Sequence, residues 1–120
     1  MNDQRFPQSC RLRSRLDFGR VYRRRRSVSD ERLIVYGLPN ELDRSRLGLS
    51  VSRKYGNAVA RNRFKRLVRE AFRLSRRDLP VGLDLIVIPR PGVAAELSTL
   101  RESLIKLAAR LASPGRSRSK

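Results

Sequence analysis

From Ala58 to about Arg76, the apolar residues Ala60, Phe64, Leu67, Val68, Ala71 and Phe72 recur at three- and four-residue spacing. Rotating each position by about 100° gathers them into one stripe, so this stretch is an amphipathic helix with one buried side. Asn57, immediately before it, is a good N-cap. The opposite side is just as constrained. Asn62, Lys65, Arg66, Arg69, Arg73, Arg76 and Arg77 share it, Arg61 and Arg63 lie near its borders, and Glu70 alone interrupts it. Like charges three and four residues apart repel. The planar forked donors of Arg match phosphate oxygens, so the reading that explains this face is a phosphate backbone laid along it.

The segments around this helix supply a sheet and two further helices. Ser14-Arg15-Leu16-Asp17 resembles a capping box, and Phe18, Val21 and Tyr22 follow on one face of a short helix. Four arginines, Arg23 to Arg26, break that pattern and lead into a short strand, Arg25 to Val28, and a Ser29-Asp30 turn. Arg32 to Leu38 is β-branched and aromatic and closes at Pro39-Asn40, a strand bounded by turn residues. Arg46 to Ser52 alternates strictly, with Leu47, Leu49 and Val51 facing a core and Arg46, Gly48, Ser50 and Ser52 facing away. After the helix, Leu79 to Gly82 is a turn and Leu83 to Ile88 a nearly all-apolar strand covered on both faces. Pro89 to Gly92 stops it, and Ala94 to about Leu111 places Leu97, Leu100, Leu104, Leu107 and Leu111 on one helical stripe. The pattern predicts a single small α+β domain, helices on a mostly antiparallel sheet, over residues 14–112. Basic arms at 1–13 and 113–120 are expected to be flexible.

Charge sharpens the functional reading. The 120 residues carry 29 Lys and Arg against 11 Asp and Glu, a formal net charge of +18. Leu, Ile, Val and Phe still supply 34 residues, enough for a core. A chain that folds while repelling itself so strongly points to a polyanionic partner. With no His, histidine acid–base chemistry and imidazole metal ligation are excluded. The lone Cys10 closes no internal disulfide and reads as incidental, in keeping with a reducing cytosol. Met1 to Cys10 holds no signal-like apolar stretch, and the longest apolar run, Leu85 to Ile88, is far too short for a bilayer, so a cytoplasmic protein is expected. The acids are scattered rather than clustered, which gives no support to a metal-dependent nuclease centre of the chain's own.

A second surface is suggested by the outward face of Arg46 to Ser52. Gly48, Ser50 and Ser52 leave room for another backbone, and Phe18, Tyr22 and Tyr36 could border the same space. Aromatic rings beside a basic groove suit single-stranded nucleic acid, whose bases stack without sequence preference. Taken singly, each ring fits a core better than a cleft, and it is the set, with polar tips on Tyr22 and Tyr36, that favours the cleft. A generic RNA-binding protein of ribosomal or chaperone-like kind would share the charge without requiring such a cleft.

The stretch Ser45 to Arg73 closely resembles the bacterial ribonuclease P protein component family. It carries Arg61-Asn62-Arg63, Lys65-Arg66 and Arg69-Glu70-Ala71-Phe72, and the likeness extends from about Leu12 to Leu111. Asp17-Phe18-Gly19-Arg20-Val21-Tyr22, Pro39-Asn40 and Leu79 to Asp84 fit as well. The resemblance implies a four-stranded sheet in the order α-β-β-β-α-β-α, with a left-handed β-α-β crossover where strand twist alone favours a right-handed one. It implies a protein subunit of ribonuclease P that is inactive alone. Its partner, a catalytic RNA, removes the 5′ leader of precursor tRNA with Mg2+ ions held by that RNA and the substrate. By position, Arg61, Asn62, Arg63, Lys65, Arg66, Arg69 and Arg73 would bind the catalytic RNA. Phe18, Tyr22, Tyr36, Ser50, Ser52, Arg53, Lys54 and Arg90 would bind the leader. Tyr22 stands where Phe is common in the family, and 25 of the 29 basic residues are Arg, where family members carry more Lys.

Overall fold

Asn57 caps the longest helix by accepting a hydrogen bond from the Ala60 amide at 2.8 Å, and the helix, α2, runs Ala58–Leu74. It belongs to a computed structural model that describes residues 10–12 and 14–112. The other elements are α1 (Arg15–Arg24), β1 (Ser27–Ser29), β2 (Leu33–Pro39), β3 (Arg46–Leu49), β4 (Leu83–Pro89) and α3 (Leu97–Ala112), with a 3-10 turn at Arg76–Asp78. Ser14 Oγ accepts from the Asp17 amide at 3.0 Å and starts α1 as the capping pattern predicts.

The four strands form one mixed sheet in the order β1-β2-β4-β3. β2 is antiparallel to β1 and to β4, whereas β3 is parallel to β4, and α2 connects those two neighbours. Period-2 alternation gives the sheet two faces. Leu33, Val35, Leu47, Leu85 and Val87 pack with Phe64, Val68, Ala71 and Phe72 of α2 and with Leu100, Leu104, Leu107 and Leu111 of α3. On the other face, Ile86 joins Val21 of α1 and Leu12 in a smaller cluster, bordered by Phe18, Tyr22, Tyr36, Leu38 and Ile88. The apolar run of β4 is therefore covered on both sides, which is why it lacks an outward polar set.

The element limits depart from the periodicity by two or more residues at four places, and by one residue at the ends of β2 and β4. Arg25 adopts φ 58° and closes α1 through its amide on the Tyr22 carbonyl, so β1 starts two residues later than expected. β3 ends at Leu49 rather than Ser52. Ser50 still donates to the Val87 carbonyl at 3.1 Å, and the chain then turns so that Tyr55 donates to Ser52. α2 stops at Leu74, leaving Arg76 and Arg77 on the 3-10 turn. α3 starts at Leu97 rather than Ala94, after the Pro91-Gly92 turn, where Gly92 takes φ 78°.

The expectation of a loose arm through Arg13 fails for residues 10–12. Arg11 pairs with Leu47 in a parallel bridge, Leu12 donates to the Leu47 carbonyl at 2.9 Å, and Cys10 and Leu12 are buried. Cys10 is thus a core residue. Residues 1–9, 13 and the expected tail at 113–120 lie outside the described residues.

Asp84, read in the sequence only as a strand opener, is 1% exposed. Its carboxylate accepts from Arg46 Nε at 2.8 Å and Nη2 at 2.7 Å, and from Asn40 Nδ2 at 2.8 Å. This pair raises the Arg46 pKa, and it fastens the Pro39-Asn40 turn to β3 and β4. Ser45 adds a second tie, accepting from the Leu83 amide and donating to the Pro80 carbonyl.

Candidate nucleic-acid interface

With Phe64, Val68, Ala71 and Phe72 committed to the core, α2 presents its remaining side outward. Asn62, Arg63 and Arg66 are exposed, and Arg61, Lys65 and Arg69 are half-buried along the flank. Arg61 donates to the Gly56 carbonyl at 2.9 Å, which leans its stem back along the first turn. Among the described residues, none of Arg61, Arg63, Lys65, Arg66 and Arg69 lies within ion-pair distance of a carboxylate. Arg73 differs: its guanidinium pairs with Glu70 one turn back, with Nε on Oε1 at 3.1 Å, so much of its charge is answered within the helix.

The second surface lies across the α1 side of the sheet. Tyr22 meets Tyr36 edge-to-face with centroids 4.9 Å apart, and Phe18 lies 6.4 Å from Tyr22. All three rings are half-buried, packed at their bases against the smaller cluster and open at their rims. Gly48 does not leave room for a foreign backbone, as its smallness suggested. A Cβ there would stand 2.7 Å from the Phe18 ring and 3.2 Å from Leu12 Cβ, so the missing side chain admits Phe18. Ser50, half-buried, and Ser52, Arg53 and Lys54, all exposed, continue the chain from the end of β3.

Arg90 is placed differently from its expected role. Its Nε donates to the Asp30 carbonyl at 2.6 Å and its Nη2 to Ser29 Oγ at 3.0 Å, so its guanidinium braces the β1–β2 turn. Asp30 organises the same turn by accepting from the Arg32 and Leu33 amides at 2.8 and 2.9 Å. Burial opposes its charge, but bonds from Ser103, from the Leu33 and Arg32 amides and from Lys106 outweigh it and hold the carboxyl at about 2, below its ordinary 3.8. A depressed carboxyl stabilises the fold above its unfolded pKa and loses that contribution as pH falls through the folded value. The shift corresponds to about 2 kcal/mol. Urea unfolding is expected to show the wild type losing that much more than Asp30→Asn as pH falls from about 4 to below about 2. Parallel pH profiles for the two proteins would refute the assignment.

The two surfaces meet. A pocket of about 240 Å³ is lined by Phe18, Gly48 and Leu49 from the cleft side and by Lys65 and Arg69 from α2, with Arg11 beside them. Burial pulls the Arg69 pKa down, and the like charge of Arg11 pulls it further, so an anion entering here would relieve the repulsion. Sequence reasoning missed Arg11 because only its non-local pairing with Leu47 brings it to α2. Among the described residues, no group of three or more His, Cys, Asp or Glu is arranged to hold a metal ion, and no helix is long and apolar enough to cross a membrane.

A cationic helix face and a half-buried aromatic cluster, meeting at one pocket on an α+β scaffold, define a small RNA-binding domain. The family model for Ribonuclease P matches residues 6–112. The ribonuclease P protein component of Brevibacillus brevis is 44% identical over 100 residues, covering 82% of this chain and 79% of that one. That of Thermotoga maritima is 40% identical over 111 residues, 88% and 95% of the two chains. The solved RNase P protein from Thermotoga maritima superimposes with a TM-score of 0.79 at 39% identity over 86% of this chain and 98% of that one. The Staphylococcus aureus RNase P protein gives 0.75 at 35% identity over 86% and 95%. The chain belongs to the ribonuclease P protein family, and is a subunit of an endoribonuclease that works as a ribonucleoprotein. These matches lend nothing to the alternative of a ribosomal or chaperone-like RNA binder.

Proposed function

We propose that the α2 face grips the catalytic RNA of ribonuclease P while the aromatic cleft holds the single-stranded 5′ leader of precursor tRNA. The observation that carries this reading is the meeting of two chemically different surfaces at one pocket, Lys65 and Arg69 on one side and Phe18 on the other. Arg61, Asn62, Arg63, Lys65, Arg66 and Arg69 contact phosphates of the catalytic RNA, with Arg73 at the margin. Phe18, Tyr22 and Tyr36 offer stacking surfaces. Ser50, Ser52, Arg53 and Lys54 offer donors to phosphate and sugar, and Arg90 holds the far turn in place.

The chain binds and orients, and hydrolysis belongs to the RNA subunit, with Mg2+ ions held by that RNA and the substrate. The setting is the cytoplasm. Gripping catalyst and substrate together raises the local concentration of leader at the cutting site, so the protein's benefit should be largest where Mg2+ is scarce.

Reconstitution with a ribonuclease P catalytic RNA at low Mg2+ tests this directly. Phe18→Ala with Tyr22→Ala is expected to weaken binding of leader-bearing precursor by about 1–3 kcal/mol per lost stack. Affinity for mature tRNA should stay nearly unchanged. Equal losses for both ligands would remove these rings from the leader site, and cleavage of precursor by RNA-free protein would overturn the division of labour.

A further inference from the structure

The run Arg23 to Arg26 is a basic cluster that neither α2 nor the cleft accounts for. Arg23 and Arg24 occupy the last turn of α1, where cations offset the negative end of the helix dipole. That explanation stops at Arg25, which holds φ 58°, a conformation that ordinarily selects Gly or Asn at a helix end. Arg23, Arg24 and Arg25 are exposed, and among the described residues none of them is within ion-pair distance of a carboxylate. The nearby acid, Asp30, is turned inward toward Lys106 and Ser103.

Position gives the run a direction. Arg25 donates its amide to Tyr22, and Ser27, two residues on, sits opposite Tyr36 in the β1–β2 pairing. The run therefore begins where the Tyr22–Tyr36 pair ends, at the β1 edge, whereas Lys65 and Arg69 stand at the β3 edge. Three strand spacings separate those edges, about 14 Å. A leader entering from the α2 side, where the catalytic RNA is gripped, crosses the rings and leaves over Arg23 to Arg25. Its 3′ end is joined to the tRNA, so the part that leaves is the 5′ part.

We infer that Arg23, Arg24 and Arg25 form an exit track that binds the phosphates of the 5′-distal leader, beyond the nucleotides that stack on Phe18 and Tyr22. This rests on the cleft being the leader site. The track reads length and charge, not sequence, because exposed guanidinium groups contact the backbone alone.

The test uses holoenzyme reconstituted with catalytic RNA, with cleavage arrested, and precursor tRNAs carrying leaders of about 4 and about 15 nucleotides. Arg23→Gln, Arg24→Gln and Arg25→Gln together are expected to weaken long-leader binding roughly tenfold, as the loss of three exposed phosphate contacts implies. The slope of log affinity against log salt should shrink by about 2 for the long leader. Short-leader affinity should match wild type, while the thermal midpoint falls only by the small helix-end contribution of Arg23 and Arg24. Unchanged long-leader affinity would overturn the track. So would equal losses for both leaders with weaker assembly on the catalytic RNA, which would assign the run to that RNA. If wild-type holoenzyme binds the short-leader precursor no more tightly than mature tRNA, the cleft reading itself fails, an outcome distinct from any defect of the variant.

Discussion

Affinity of this chain for the catalytic RNA is expected to fall by roughly 10³–10⁵ between 50 and 200 mM salt, the response of a protein that contacts about 6–10 phosphates. Each contact releases condensed counterions, and that release loses its driving force as bulk salt rises. The expectation is strong here because the α2 cations are not already neutralised by the protein. Arg61, Arg63, Lys65, Arg66 and Arg69 have no carboxylate partner among the described residues, and only Arg73 is paired, with Glu70. Alanine at Arg63 or Arg66, both exposed, should reduce the salt slope by about one each without loss of stability. Titration of labelled catalytic RNA across that salt range decides the point. A nearly flat dependence would mean that the helix face is a solvated surface and the affinity lies elsewhere.

Asp84→Ala is expected to destabilise the fold by about 3 kcal/mol, read as a shift in the urea midpoint with an unchanged slope. The alanine would leave Arg46, whose side chain is 21% exposed, without its bidentate acceptor, and the Asn40 amide with the Arg44 carbonyl alone. Asp17, in a longer ion pair with Arg46 at 3.9 Å and bonded to Arg20, answers only part of that charge and does not replace the two hydrogen bonds from Asp84. Most of that cost reflects an abandoned charge rather than the worth of the pair. Replacing both partners, Arg46→Met with Asp84→Leu, should therefore recover much of the loss. A loss below about 1 kcal/mol for Asp84→Ala would show that solvent reaches Arg46 freely.

The helices were legible because their periods are long and unbroken. The apolar residues of α2 occupy their expected side, and the leucine stripe of α3 fills the core. Local rules also placed the Asn57 and Ser14 caps. What escaped was non-local. Nothing in the chain's local pattern says that Arg11 lies beside Leu47, that the space at Gly48 is filled by Phe18, or that Arg90 turns onto Asp30. The parallel placement of β3 against β4 came from family likeness, since alternation describes a strand's faces but not its neighbour. Asp84 did leave a trace, a single carboxylate within an apolar run, because a buried charge survives there only with a partner.

The N-terminal segment, by pairing with Leu47, runs along the outer margin of β3. An uncovered strand margin is a template for another chain. Arg11 and Leu12 occupy this one at Leu47, beside Lys65 and Arg69, so a trespassing copy would meet both an occupied position and like charge. A version of the molecule beginning after Leu12 would lose the first of those two defences, and its colloidal behaviour would then depend on electrostatic repulsion, which weakens with salt.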